Sequence, residues 1–118
     1  MLKQYDVVVR YQEFRKNAFA SFDGSDLVYE KDKAVEIGEF GTQAESEVDA
    51  CNDLFYLFNH VDPEFYARFP RTRAAFRAIG HTSMSVGDTI EFMVTGNVYI
   101  CASVGWKLVA TTLVPVVA

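Results

Sequence analysis

The sequence lacks the residue spacings by which metal and phosphate sites are usually recognised. It has two cysteines, Cys51 and Cys101, and two histidines, His60 and His81, and none of them forms a C-x-x-C or H-x-x-x-H pair. The glycines form neither a G-x-G-x-x-G nor a G-x-x-x-x-G-K pattern, so no dinucleotide or P-loop site is indicated. We therefore predict no metal and no cofactor.

Long apolar runs and positive charge are also scarce. The N-terminal stretch carries Lys3, Asp6 and Arg10 without the apolar segment of a signal peptide. The longest apolar stretch, Leu108 to Ala118, is too short to span a bilayer. We expect a cytoplasmic chain with free thiols and no membrane contact. The net charge of −5 disfavours general nucleic-acid binding, although it does not exclude it.

Apolar and aromatic residues, by contrast, are plentiful. Half of the 118 residues are hydrophobic, and ten of them are phenylalanine. A chain of this length and composition can bury a core without disulfides or a structural metal. We predict a single domain over residues 1–118.

Alternating apolar and polar residues predict several strands. Gly96-Asn97 is predicted to be a two-residue hairpin turn, because glycine tolerates positive φ at the first central position. Residues 13–22 fit both a short helix and a strand, so the structure of residues 13–40 is left partly open. The predicted strands are Gln4–Gln12, Leu27–Lys31, Ala34–Phe40, Thr89–Thr95, Val98–Ser103 and Trp106–Leu113.

The clearest predicted helix starts at Thr42, where Thr42-Gln43-Ala44-Glu45 has the form of a capping box. An apolar stripe at three- and four-residue steps follows, and the helix should end near Asn59-His60. Asp62-Pro63 predicts a second helix, which Pro70 should end. Thr72 to Ile79 is predicted to be a further short helix.

These elements predict an α+β fold, with a mainly antiparallel sheet packed against one principal helix and short additional helices. The predicted core residues come from both the strands and the principal helix. They are Val7, Val9, Val48, Leu54, Phe55, Phe58, Val86, Ile90, Phe92, Ile100 and Trp106.

Two neighbouring segments have opposite charge. Residues 42–62 carry five acidic residues and no Lys or Arg, whereas residues 63–80 carry Arg68, Arg71, Arg73 and Arg77 against Glu64 alone. The two segments either pair with each other or expose solvated faces. Otherwise the arginines form a patch for a phosphate or an acidic partner.

Residues near His81 include the types found in a hydrolase triad. Ser83, Ser85 and Asp88 follow His81 closely, but triad members normally come from separate elements. Turn chemistry explains Ser85 and Asp88 better, because their side chains bond backbone groups around a glycine. Cys101 and Cys51 are predicted to be packing residues.

A further set of motifs consists of Phe58-Asn59, the turn TSMSVGD at residues 82–88, Tyr99, Cys101 and Gly105-Trp106. Together they resemble the motifs of the YodL-like proteins, a small domain of unknown function in phage and plasmid genes. Thr82 stands where the family pattern favours arginine. The resemblance implies a phage or other mobile-element origin and implies no reaction. Through Val86-Gly87-Asp88 there is a more distant likeness to ASCH and PUA-type barrels, folds that often bind RNA.

Our leading hypothesis is a non-enzymatic accessory or protein-interaction module, with a homodimer or a host protein as partner. It would pair through a sheet edge or the apolar tail, residues 113–118. An RNA- or nucleotide-binding ASCH/PUA-like module using Arg68–Arg77 is the alternative. A small hydrolase around His81, with Ser83, Ser85 or Cys101, is a second alternative, and no catalytic residue is assigned. The candidate binding residues are His81, Thr82, Ser83, Arg73, Arg77 and Asn59.

Overall fold

The computed structural model describes residues 1–12, 29, 34–60, 69–79, 84–102 and 104–110. Its elements are strands β1 (Lys3–Tyr11) and β2 (Val35–Ala44), helices α1 (Glu47–Asn59) and α2 (Pro70–Ile79), and strands β3 (Thr89–Phe92), β4 (Val98–Cys101) and β5 (Trp106–Ala110). The strands form one antiparallel sheet in the order β2-β1-β3-β4-β5. The α+β class with an antiparallel sheet is therefore confirmed.

β1 lies inside the sheet and supplies the centre of the core. Its alternation places Val7, Val9 and Tyr11 on one buried face. The Tyr11 ring contacts Phe58 of α1 at 6.3 Å and Phe76 of α2 at 5.8 Å between ring centroids. Both helices consequently pack on the same face of the sheet, which we call the helix-bearing face.

The start of α1 differs from the prediction. Thr42 belongs to β2, where it pairs opposite Tyr5, and the strand continues to Ala44. The helix begins at Glu47, and Ser46 is its N-cap, accepting a hydrogen bond from the Asp49 backbone N–H at 3.1 Å. The capping box at Thr42 is therefore wrong, because pairing with β1 extends the strand through these residues. The predicted end at Asn59-His60 is confirmed.

The buried face of α1 is narrower than its apolar stripe. Leu54 and Phe58 are buried, whereas Val48 and Phe55 are 43% and 37% exposed. The prediction that Val48 and Phe55 belong to the core is wrong, because the sheet covers only the side of the helix that carries Cys51, Leu54 and Phe58. Seven predicted core residues are buried, namely Val7, Val9, Leu54, Phe58, Ile90, Phe92 and Ile100. The predicted core residues Val86 and Trp106 are half-buried.

α2 begins at Pro70, a residue that we expected to end a preceding helix. Proline suits the first turn because the first helical N–H groups have no partner within the helix. Thr72 and Phe76, one turn apart, face the sheet, and the Thr72 hydroxyl donates to the Ile37 carbonyl at 2.9 Å. A Cβ at Gly38 would lie 2.9 Å from Thr72 Oγ1, so glycine permits this close approach.

The connection between β3 and β4 is longer than predicted. β3 ends at Phe92, and residues 93–97 form the connection in place of a two-residue Gly96-Asn97 turn. The Gly96 N–H donates to the Phe92 carbonyl at 2.7 Å, and Gly96 has a φ of 72°. Glycine is therefore required at position 96, although for a wider turn than expected. The predictions for residues 13–22, 27–28, 30–31, 62–63 and 113–118 fall outside the described residues.

Candidate functional site

A cleft opens at the end of the sheet where β3 stops. β1 pairs with β3 only through Val7 to Arg10, so the preceding residues of β1 extend beyond it. The space beside them has a volume of about 390 Å³, within the range typical of small-molecule sites. We call it the Glu47 cleft. Its lining residues are Lys3, Gln4, Tyr5, Asp6, Glu47, Phe92, Val94 and Thr95.

The Glu47 carboxylate joins α1 to the β3–β4 connection. It accepts hydrogen bonds from the Thr95 hydroxyl at 2.7 Å, the Asn97 side-chain amide at 2.8 Å and the Tyr99 hydroxyl at 3.0 Å. All three donors are neutral groups. Glu47 is also the first residue of α1, where the helix dipole favours negative charge.

Aromatic rings form the apolar part of the cleft. Phe92 contacts Tyr5 at 5.5 Å and Tyr99 at 5.6 Å, both edge to face. Burial, followed by the hydrogen bond to the neighbouring carboxylate of Glu47, raises the pKa of Tyr99 to about 12. Tyr99 therefore remains a neutral hydrogen-bond donor at physiological pH.

An apolar surface adjoins the cleft. Leu108 pairs opposite Tyr99, so both side chains lie on the helix-bearing face, yet Leu108 is 49% exposed. Trp106 lies on the same face and contacts Phe55 edge to face at 6.4 Å. With Val48, these side chains form what we call the α1–β5 surface, defined as Val48, Phe55, Trp106 and Leu108. The two described helices thus leave the β5 side of this face partly uncovered.

Two of the predicted binding residues lie on α2. Arg73 and Arg77 are exposed and one turn apart, and Arg71 is exposed on the same helix. Across the ranges that the structure covers, none of these three arginines forms a salt bridge. The expected pairing with the acidic segment is therefore not made by the described acidic residues.

Asn59 lies at the C-terminal end of α1 and is half-buried. The preceding Phe58 contacts Phe76 of α2 at 6.3 Å, which places the end of α1 beside the arginine-bearing helix. The predicted residues His81, Thr82 and Ser83 lie outside the described residues. Their proximity to Asn59, Arg73 and Arg77 stays a prediction.

The turn that follows these residues is built on the buried carboxylate of Asp88. Its oxygens accept the Gln12 backbone N–H at 2.9 Å, the Ser85 backbone N–H at 2.9 Å and the Ser85 hydroxyl at 3.3 Å. Burial raises the pKa of Asp88 to about 7, although these hydrogen bonds oppose the increase. The prediction that turn chemistry explains Ser85 and Asp88 is confirmed.

Both cysteines are buried and free. Burial raises the pKa of the Cys101 thiol to about 12, and the nearby Asp88 carboxylate contributes. Burial likewise raises the pKa of the Cys51 thiol. A thiol in this state is a poor nucleophile, so neither cysteine offers reactive chemistry.

Sequence reasoning missed the Glu47 cleft. Glu47 is visible in the sequence only as one of several acidic residues near a helix start. Its three donors lie 48 to 52 residues away along the chain, and no periodicity connects them. The one local signal is the pair of polar residues Thr95 and Asn97 beside Gly96. We interpreted Thr95 as the end of a strand and Asn97 as part of a hairpin turn.

Within the described ranges, no group of three or more His, Cys, Asp or Glu side chains could hold a metal ion. No helix in those ranges is long and apolar enough to cross a membrane. Comparisons with models of protein families, with curated proteins and with solved structures gave no match for this chain.

Proposed function

We propose that this chain is a non-enzymatic protein-interaction module that binds its partner through the α1–β5 surface. One observation supports the proposal most directly. Large apolar side chains from a helix and an outer strand of the described sheet remain accessible on the face that elsewhere forms the core. Accessible apolar groups grouped in this way are typical of interaction sites.

The composition of the surface favours a protein partner. Phe55 and Trp106 are large rings of the kind that anchor interfaces, and Val48 and Leu108 extend the apolar area around them. Asp49 and Asp53 are exposed on the same helix. We therefore expect a partner with an apolar centre and basic residues at its margin.

Affinity purification with matched variants tests this proposal. The immobilised chain is exposed to an extract of its source cells, alongside the Leu108→Gln and Met93→Gln variants. Both substituted side chains are about half exposed, but Met93 lies outside the α1–β5 surface. We expect a defined protein to be retained by the wild type and by Met93→Gln and lost by Leu108→Gln. Equal retention by all three, or a strict monomer that retains nothing, would argue against the proposal.

The arginines of α2 favour a second candidate, an RNA- or nucleotide-binding module of the ASCH/PUA type. Arg71, Arg73 and Arg77 are exposed on a helix that has no acidic residue. Exposed arginines bind phosphates through charge-assisted hydrogen bonds. Filter binding of single-stranded RNA should then weaken with added salt and with Arg73→Glu, but not with Lys3→Glu. An affinity that does not change with salt would remove this candidate.

We also propose a biological setting for the chain, based on its motifs that resemble the YodL-like proteins. The chain would be a YodL-like protein of a phage or other mobile element, acting in the cytoplasm with a homodimer or host protein as partner. α1 would be the principal helix of a single domain, because it is the longer described helix and carries the buried Phe58 and Leu54.

A further inference from the structure

We infer that the Glu47 cleft binds an ammonium group carried on an apolar or aromatic body. The inference is independent of the α1–β5 surface, because it concerns different side chains and a ligand of defined charge. The group that binds is a protonated amine, and either a small molecule or a lysine side chain of another protein can supply it.

The charge of the cleft favours a cation. Glu47 presents a carboxylate whose hydrogen-bond donors Thr95, Asn97 and Tyr99 are all neutral, so they do not offset its negative charge. A carboxylate oxygen has about two acceptor sites, and Oε2 of Glu47 uses one of them for Thr95. An ammonium donor can therefore bond Glu47 without displacing the groups that hold it.

The rings of the cleft favour an apolar body on the same ligand. Tyr5, which is half-buried, lines the space beside the buried Phe92 ring, and Val94, 82% exposed, lies at its margin. Aromatic faces attract cations as well as apolar groups, so the Tyr5 ring and the Glu47 carboxylate can act on the same ligand. The volume of about 390 Å³ accommodates a ring with a short amine chain.

Lys3 provides an internal test of this assignment. It is exposed and lines the cleft, so its positive charge opposes the approach of an added ammonium group to Glu47. Removing that charge should strengthen the binding of an added amine. The effect is opposite in sign to the loss expected when Glu47 is neutralised.

The experiment is an NMR titration of the full chain with phenethylamine and with its uncharged N-acetyl derivative. Phenethylamine should shift the amide signals of Thr95 and Asn97, and the N-acetyl derivative should not. Glu47→Gln should weaken phenethylamine binding by about tenfold or more, as expected for loss of a charged hydrogen bond. Glu45→Gln, a neighbouring exposed carboxylate, should leave it unchanged.

Two further titrations test the inference even if Glu47→Gln does not fold. Lys3→Met, an exposed substitution, should raise the affinity for phenethylamine several-fold. A blocked lysine amide, titrated in parallel, identifies a protein side chain as the source if it binds more tightly than phenethylamine. Equal binding of the N-acetyl derivative, or unchanged affinity in both Glu47→Gln and Lys3→Met, would overturn the inference.

Discussion

At the scale of single residues, the carboxylates of Asp88 and Glu47 connect elements at the ends of the strands through hydrogen bonds. Asp88 ties the turn at residues 85–88 to Gln12, just past the end of β1, and Gln12 returns a side-chain hydrogen bond to the Gly87 carbonyl at 2.6 Å. Glu47 ties α1 to the β3–β4 connection. Each carboxylate satisfies several donors at once, so each is a point where one substitution leaves more than one group without a partner.

We expect Asp88→Asn to destabilise the fold. The amide can replace only one carboxylate oxygen as an acceptor, so a backbone N–H of Gln12 or Ser85 loses its partner. An unsatisfied buried donor costs about 2 kcal/mol in free energy of unfolding. Urea denaturation at pH 8, where the Asp88 carboxylate is ionised, measures the change, and the exposed Asp53→Asn should stay within about 0.5 kcal/mol of the wild type. Equal effects of the two substitutions would contradict this role of Asp88.

Asp88 should also make stability depend on pH. Burial raises its pKa from 3.8 to about 7, so between these values the folded chain binds a proton more tightly than the unfolded chain. The resulting stabilisation is complete below about pH 4 and is lost as the pH rises through about 7. The advantage of wild type over Asp88→Asn should therefore shrink between pH 5 and pH 8 in urea denaturation. A constant or growing difference would refute the elevated pKa.

At the scale of elements, α1 depends on its cap. We expect Ser46→Ala to lower the free energy of unfolding by about 1 kcal/mol, because the Asp49 N–H loses its acceptor. Ser46→Asp should keep most of the stability, since aspartate caps a helix as well as serine does. Thermal unfolding followed by circular dichroism compares the three chains. Equal stability of wild type and Ser46→Ala would place the helix start elsewhere.

The docking of α2 depends on a glycine. A Cβ at Gly38 would approach Thr72 Oγ1 to 2.9 Å and the Phe40 ring to 3.1 Å, and its φ of 157° disfavours other residues. At Gly41 the nearest group is the amide end of the exposed Gln4 side chain, which can move. We expect Gly38→Ala to cost about 2 kcal/mol in free energy of unfolding and Gly41→Ala clearly less. A larger loss at Gly41 in urea denaturation would contradict this packing.

The elements were predictable where the pattern is local. The alternation of residues 4–12 identified β1, and the apolar stripe identified the body and the end of α1. The start of α1 was not predictable, because Thr42 and Ser46 are both good caps and only pairing with β1 decides between them. The predicted end of β3 was wrong for a similar reason. Met93 and Val94 continue the sequence pattern of the strand, but they belong to the connection between β3 and β4.

The candidate site was predictable only in part. The arginines of α2 are exposed, as a binding role requires, but their sequence neighbours at 81–83 lie outside the described residues. The Glu47 cleft and the α1–β5 surface depend on side chains that are far apart in sequence and meet through strand order. The order β2-β1-β3-β4-β5 itself requires long-range pairing that no local pattern contains.

At the scale of the whole molecule, the α1–β5 surface should contribute little to folding. Leu108 is half exposed, so Leu108→Gln should change the free energy of unfolding by less than about 1 kcal/mol. Leu54 lies on the buried side of α1, and Leu54→Ala should lower the free energy of unfolding by about 3 kcal/mol. Urea denaturation of both variants checks the contrast. A large loss for Leu108→Gln would mean that this surface is part of the core.

The most direct test of the interaction module is photo-crosslinking in the source cells. A photo-reactive phenylalanine analogue replaces Leu108 in one chain and Met93 in another. We predict that position 108 crosslinks a defined protein, whether a host protein or a second copy of the chain, and that position 93 does not. Val48→Gln, on the facing helix, should reduce the yield at position 108. No crosslink at position 108, or the same products from both positions, would contradict the proposed function.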